Sequence, residues 1–312
     1  MAWPERTGTL DLIPAISTPP STTRNEMYVD EPNQAIEAAN GVRYVYRRCG
    51  PFGAPSLVLL SHFRGTLDSW DTALIDALAV EHDVIAFDSA GVGLSTGPPR
   101  RTIRDLAADT AAFLEALDVR RPDLLGYSMG GYVAQELALM RPHSVRRLVL
   151  AATAPRGAHG IHGYPDDILA HASVDRLRIQ DYLYTFFNHT GTSQRSGLEF
   201  VGRYIERERE RDAPVRAAVR AAQYEAVVEW GVPAHGALER LAAVDHPVFV
   251  AGGSNDLVVP PRALHLLGGA LPNARVKVYP DSGHGFLFQH YRQFAEDVLA
   301  FLRCAVRDTY RP

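Results

Sequence analysis

The feature that most constrains this chain is an alternation. Short apolar runs rich in Val, Ile and Leu recur along it: SLVLLS (56–61), DVIAFD (83–88), PDLLGYS (122–128), RRLVLAA (146–152), HPVFVAGG (246–253) and ARVKVYP (274–280). Such runs predict strands buried on both faces, as parallel sheets require. Between them lie DTALIDALAV, TIRDLAADTAAFLEALD, GYVAQELALM, PRALHLLGGAL and YRQFAEDVLAFLRCA, whose apolar residues recur at three and four and predict helices. Strand and helix in turn predict an α/β fold, a mostly parallel sheet with helices on both faces and functional groups at the carboxyl ends of the strands.

Three segments depart from this rhythm. Asn40-Gly41, between QAIEAA and VRYVYRR, is a tight-turn signal and predicts a hairpin that opens the sheet. From about Pro155 to Ala242 no strand is evident, and VDRLRIQDYLYTFFN and PVRAAVRAAQYEAVVEW predict helices, so residues 155–242 are expected to form an inserted helical cap. Residues 1–30, rich in Pro, Ser and Thr, are expected to be an irregular arm, leaving 31–154 and 243–312 as the core. A length of 312 residues suits one α/β unit with such an insertion.

Composition narrows the partners. With 32 Lys+Arg against 36 Asp+Glu the net charge is −4, which lacks the positive excess that grips a phosphate backbone, so nucleic acid is not an expected partner. No apolar run reaches the ~18 residues of a membrane span. The first residues carry acids and four prolines where a secretory signal needs an unbroken apolar run. Two cysteines, Cys49 and Cys304, are too few for a disulfide framework, and a cytoplasmic location fits. His159 and His162 have a spacing that two metal ligands can use, but no set of Cys or carboxylates completes a site, so loop histidines are expected and no metal or organic cofactor.

One pentapeptide carries chemistry. Gly126-Tyr127-Ser128-Met129-Gly130 ends a strand-like run and opens a helical one, the setting in which a G-x-S-x-G turn lifts a serine hydroxyl above a sheet edge. A serine hydroxyl is a weak nucleophile and needs a base and an acid that orients the base. His284, in Asp281-Ser282-Gly283-His284-Gly285 before the last helix, is the candidate base, and His290, six residues on, falls in that helix. Two carboxylates compete for the acid: Asp256, after HPVFVAGG, and Asp281, which can instead cap a turn. Met129, directly after the serine, is positioned to offer its backbone N–H to a developing oxyanion.

The order Ser128, Asp256, His284, with the elbow and the insertion, resembles the α/β-hydrolase fold superfamily from about Gln34 to Ala305, outside the variable cap. The GYSMGG run and cap placement are similar to the subgroup of cofactor-free esterases, enol-lactonases, carbon–carbon bond hydrolases and non-haem chloroperoxidases. The resemblance implies that the acid comes from the loop after the penultimate strand, which selects Asp256. It also implies a second oxyanion donor in the loop after SLVLL, where counting back from Trp70 places Phe63 at the donor position. His62 stands where the family often has glycine. Asp88-Ser89-Ala90-Gly91-Val92-Gly93-Leu94-Ser95 resembles the family's D-x-x-G-x-G-x-S turn, with Ala90 where Arg or Pro is common.

These residues imply a serine esterase or lactonase acting on a small, largely apolar molecule. Carbon–carbon bond hydrolysis or perhydrolysis is the alternative chemistry, and a non-hydrolytic ligand-binding or biosynthetic protein the alternative class. A serine rather than an aspartate nucleophile argues against dehalogenase and epoxide hydrolase chemistry. Candidate substrate contacts are Arg64, beside the mouth of the pocket and able to pair with Asp68 instead, together with Tyr127 and the aromatics Tyr182, Phe186, Phe187 and Trp230.

Overall fold

Alternating side chains along each strand sort the core into two layers, one on each face of an eight-stranded sheet. In the computed structural model, which describes residues 27–304, the strands are β1 (Gln34–Glu37), β2 (Arg43–Cys49), β3 (Ser56–Leu60), β4 (Asp83–Phe87), β5 (Asp123–Tyr127), β6 (Arg147–Ala151), β7 (Val248–Gly253) and β8 (Ala274–Tyr279). They lie in the order β1-β2-β4-β3-β5-β6-β7-β8, antiparallel at β1-β2 and β2-β4 and parallel from β4 to β8. Val58, Leu60, Leu124, Leu148 and Val250 face one layer, and Leu57, Leu59, Leu125, Val149 and Ala251 the other. That period of two with both faces apolar produces the unbroken runs seen in the sequence.

Among the described residues ten α-helices follow in chain order: α1 (Thr72–Ala79), α2 (Ile103–Ala116), α3 (Met129–Met140), α4 (Asp166–Ala172), α5 (Ile179–Phe186), α6 (Gly191–Ile205), α7 (Ala217–Gly231), α8 (Pro261–Ala270), the short α9 (Phe286–Gln289) and α10 (Tyr291–Arg303). Residues of α2, α3 and α8 pack in the first layer; residues of α1 and α10 pack in the second. The stretch between β6 and β7 holds α4 to α7 and no strand.

Two expectations change. β8 is an edge strand paired only with β7, and Arg275 and Val276 in it are exposed, so it is not buried on both faces as its apolar run implied. His290 sits at the break between α9 and α10 rather than within a helix. Of the expected arm, residues 1–26 lie outside the described residues, as do 305–312 of the expected core. Tyr28 is buried, and its hydroxyl donates to the Leu67 carbonyl at 2.8 Å.

The turn after β4 binds core to insertion. Asp88 is fully buried and accepts from the Leu67 and Leu94 N–H groups at 3.0 and 3.3 Å. Asp212, between α6 and α7, reaches the same place. A Cβ built on Gly93 would lie 2.1 Å from Asp88 Oδ2 and 2.9 Å from Asp212 Oδ1. Burial pushes the Asp88 carboxyl well above the usual carboxylate range, with Asp212 adding to the effect, and burial raises Asp212 as well. A carboxyl raised on folding binds more protons folded than unfolded, so stability is lost as pH climbs above the unfolded value of ~4 toward the folded one. Asp212→Asn should remove that charge conflict and offer an N–H to Asp88. Its melting temperature relative to wild type should therefore be higher at pH 8 than at pH 5, and a difference independent of pH would contradict the coupling.

Candidate active site

β5 ends at Tyr127 and α3 begins at Met129, so Ser128 alone turns the chain, with φ 55° and ψ −118°. For a residue with a side chain this conformation costs ~1–3 kcal/mol and persists only where the surroundings over-determine it. The Ser128 N–H donates to the Ala151 carbonyl at 2.8 Å, and the Ser128 carbonyl accepts from the Gly131 N–H and from Thr153 Oγ1, each at 2.8 Å. Close approach explains the flanking glycines. A Cβ on Gly126 would lie 2.5 Å from the Gly130 carbonyl oxygen, and one on Gly130 would lie 2.0 Å from that of Leu60. The serine therefore stands at the start of α3, where first-turn N–H groups, Met129's among them, have no intrahelical acceptor.

The neighbouring strands β7 and β8 bring two more residues to the same edge. Asp256 follows β7 and His284 follows β8, and their loops are tied by the Asn255 N–H to the Ser282 carbonyl at 2.9 Å. His284 Nδ1 lies 2.8 Å from Asp256 Oδ2, with both side chains buried. Asp256 Oδ1 accepts from the Val258 and Val259 N–H groups at 2.8 and 2.9 Å, which fixes the plane of the carboxylate. A carboxylate only accepts, so Nδ1 carries the hydrogen and, in the neutral ring, Nε2 remains an acceptor. Asp281 does not face His284; it accepts from Asn188 Nδ2 at 2.6 Å and Thr190 Oγ1 at 2.8 Å, both in the insertion. His290 Nε2 lies 3.0 Å from the Pro280 carbonyl.

Ser128 and His284 line a cavity that is partly open to solvent. The loop after β3 supplies His62 and Phe63 to its wall, and the insertion supplies Tyr164, Ile168, Leu177 and Phe186. The Phe63 N–H makes no backbone hydrogen bond among the described residues. His62 Nδ1 lies 2.8 Å from the Phe63 carbonyl, and burial holds the imidazole pKa down at about 4, so the ring is neutral at physiological pH. No group of three or more His, Cys, Asp or Glu side chains able to hold a metal occurs among the described residues.

Of the expected substrate contacts, Arg64 and Phe186 line this cavity, and Tyr127, Tyr182, Phe187 and Trp230 do not. Arg64 borders the cavity, but its guanidinium donates to the Ala172, Val174 and Asp175 carbonyls at 2.5, 2.8 and 3.2 Å, and its N–H to Gln223 Oε1 at 3.0 Å. It thus fastens the β3 loop to the insertion, while Asp68 pairs with Arg47 at 2.8 Å. Tyr182 lines a second, more polar cavity next to the first and donates to, or accepts from, Tyr204 at 2.9 Å. Phe187 is buried against Phe200, and Trp230 stacks on Tyr132 with centroids 5.3 Å apart. Tyr127 is fully buried beneath His284 and donates its hydroxyl to the His284 carbonyl at 3.1 Å. Tyr127, Phe187 and Trp230 are therefore packing residues rather than cavity wall. Aromatics spaced at three and four form the inward stripe of a helix, and a residue beside an elbow serine points to the opposite face of its strand.

Thr153, Gln223 and Tyr164 were not singled out by the sequence. Their parts depend on contacts across 25 residues for Thr153 and 159 for Gln223, for which no local pattern exists.

The sequence model of the alpha/beta hydrolase fold family matches residues 55–291. The chain is 32% identical over 258 residues to the dihydrolipoyllysine-residue acetyltransferase component of an acetoin cleaving system from Pseudomonas putida, covering 81% of this chain and 65% of that protein. It therefore spans less than two thirds of that relative's length. It is 29% identical over 287 residues to a non-heme chloroperoxidase of Streptomyces lividans, covering 86% of this chain and 99% of that one. Among solved structures, an alpha/beta hydrolase fold protein from Chitinophaga pinensis superposes with a TM-score of 0.84 at 34% identity, covering 90% of this chain and all of that one (100%). Among the described residues no helix is long and apolar enough to cross a membrane.

Proposed function

The chain belongs to the alpha/beta hydrolase fold family, and on that premise we propose that it is a serine hydrolase cleaving an ester or lactone of a small, largely apolar molecule. The observation that carries this reading is that Ser128, on a strained turn at a helix start, lines one cavity together with His284, whose Nδ1 is held by Asp256. Ser128 Oγ attacks the carbonyl carbon while His284 Nε2 takes its proton. The carbon–oxygen bond to the leaving group breaks, and that proton goes to the leaving oxygen. Water then attacks the acyl group, loses a proton to Nε2, and Ser128 regains its hydrogen as the acid leaves. Asp256 holds the imidazole and stabilises its charged form. The Met129 and Phe63 N–H groups face the oxygen that becomes negative.

A serine-reactive fluorophosphonate followed by intact mass tests the reading. One adduct per chain is expected on wild type and none on Ser128→Ala; labelling of both equally would overturn it.

Residues 155–242 serve in this reading as a cap that selects the substrate. Phe186 presents its ring to the cavity while its carbonyl accepts the Gly285 N–H at 2.6 Å, a contact that survives truncation of the side chain. Phe186→Ala is expected to change kcat/KM for bulky acyl esters about tenfold more than for an acetate ester, the scale of a hydrophobic pocket contact. Equal losses on both, in a variant whose thermal unfolding is intact, would place Phe186 in the chemical step instead.

A further inference from the structure

In the largely apolar wall of this cavity His62 carries a polar atom with no assignment. His62 Nδ1 is 2.8 Å from the Phe63 carbonyl oxygen, and a carbonyl cannot donate, so the hydrogen of that bond belongs to Nδ1. The ring is wedged edge-on between Tyr127 and Phe186, with centroids 5.0 and 5.4 Å away, and both neighbours fix its plane. In the neutral ring Nε2 is then a lone-pair acceptor with no donor, and it makes no hydrogen bond among the described residues. The residue lines the same cavity as Ser128 and His284. A glycine at this position would bring no side-chain polar atom, whereas this imidazole presents one acceptor and no donor. An acceptor left unmet in a desolvated site is costly, and a site built to receive a hydrogen bond discriminates against analogues that lack it.

We infer that His62 is a specificity residue whose Nε2 accepts a hydrogen bond from an O–H or N–H group carried by the substrate close to its scissile carbonyl. The substrate class is thereby narrowed from apolar esters in general to hydroxy- or amido-substituted esters and lactones. This inference rests on the serine hydrolase reading above. His284 cannot fill the same role, because its Nε2 is engaged with the proton of Ser128 during turnover. Arg64, on the same wall, is a donor whose fork is already taken by three carbonyls.

The test compares p-nitrophenyl butanoate with its 2-hydroxy and 3-hydroxy derivatives and with the corresponding methyl ethers, which keep the oxygen and lose the donor. Wild type should prefer the 2- or the 3-hydroxy ester over its methyl ether by about five- to tenfold in kcat/KM, the scale of one neutral hydrogen bond. In His62→Phe that ratio should fall to about one, and in His62→Gln, whose amide oxygen accepts, much of it should return. A wild-type ratio near one at both positions, or a ratio kept by His62→Phe, overturns the inference while leaving the hydrolase reading intact. No hydrolysis of any of these esters together with no fluorophosphonate adduct at Ser128 overturns the hydrolase reading itself. A readout free of any variant is the ¹⁵N resonance of His62 Nε2 in wild type. It should move toward the hydrogen-bonded position on binding a hydroxylated trifluoromethyl ketone and stay in place with the deoxy compound; equal shifts with both would also overturn the inference.

Discussion

Ser128→Ala is expected to lower kcat for ester hydrolysis by about 10⁵–10⁶, the scale found when a triad nucleophile is removed. The oxyanion donors and the binding cavity should leave a residual acceleration of about 10³ over water. Fold stability should barely change, because Ser128 makes its structural hydrogen bonds through its main chain, to Ala151, Gly131 and Thr153. The strained φ of 55° adds a second arm to the experiment. Ser128→Gly should be as inactive as Ser128→Ala yet melt at a higher temperature, because glycine adopts this conformation without the penalty of a side chain. Kinetics and thermal unfolding of the three proteins check both arms. Substantial turnover by either variant would remove the serine from the mechanism, and a glycine variant less stable than wild type would show that the turn is not strained.

Asp256→Asn should lower kcat by about 10⁴ with little change in KM, and the reason lies in which end of the amide can face which partner. The Val258 and Val259 N–H groups both need an acceptor, so the amide oxygen must take the place of Oδ1. The NH₂ is then forced toward His284 Nδ1, where it can only donate. The imidazole must answer with the tautomer that carries its hydrogen on Nε2, and that nitrogen can no longer receive the proton of Ser128. Asp281→Asn should stay within about tenfold of wild type, since its contacts to Asn188 and Thr190 fasten the insertion and lie off the imidazole. Measured kcat in the reverse order would transfer the acid to Asp281.

The parts of this protein that were legible in the sequence are those set by short-range rules. The apolar runs marked the strands because a sheet buried on both faces tolerates little else, and all six runs named at the outset contain the strands β3 to β8. The exposure of β8 was not legible, since an edge strand with apolar residues at 274, 276 and 278 reads like a central one until its missing neighbour is known. The glycines around Ser128 were readable because a Cβ there meets backbone, a constraint that no side-chain substitution relieves. Phe187 and Trp230 were misplaced for the opposite reason. An aromatic in a helical insertion looks alike whether it faces ligand or neighbour, and here the deciding partners are Phe200 and Tyr132, distant in the chain or unmarked by pattern. His62 appeared in the sequence only as a departure from glycine; its tautomer became readable once the Phe63 carbonyl was found beside Nδ1.

Turnover through an acyl group on Ser128 can be caught by acid quenching followed by peptide mass spectrometry. Wild-type protein mixed with excess p-nitrophenyl acetate and quenched within the first turnovers should carry one acetyl mass on the peptide that contains Ser128, and the adduct should disappear as substrate is exhausted. An active enzyme whose acyl group maps to any other residue, or that turns over with none trapped on Ser128 while product release shows a burst, would contradict the account.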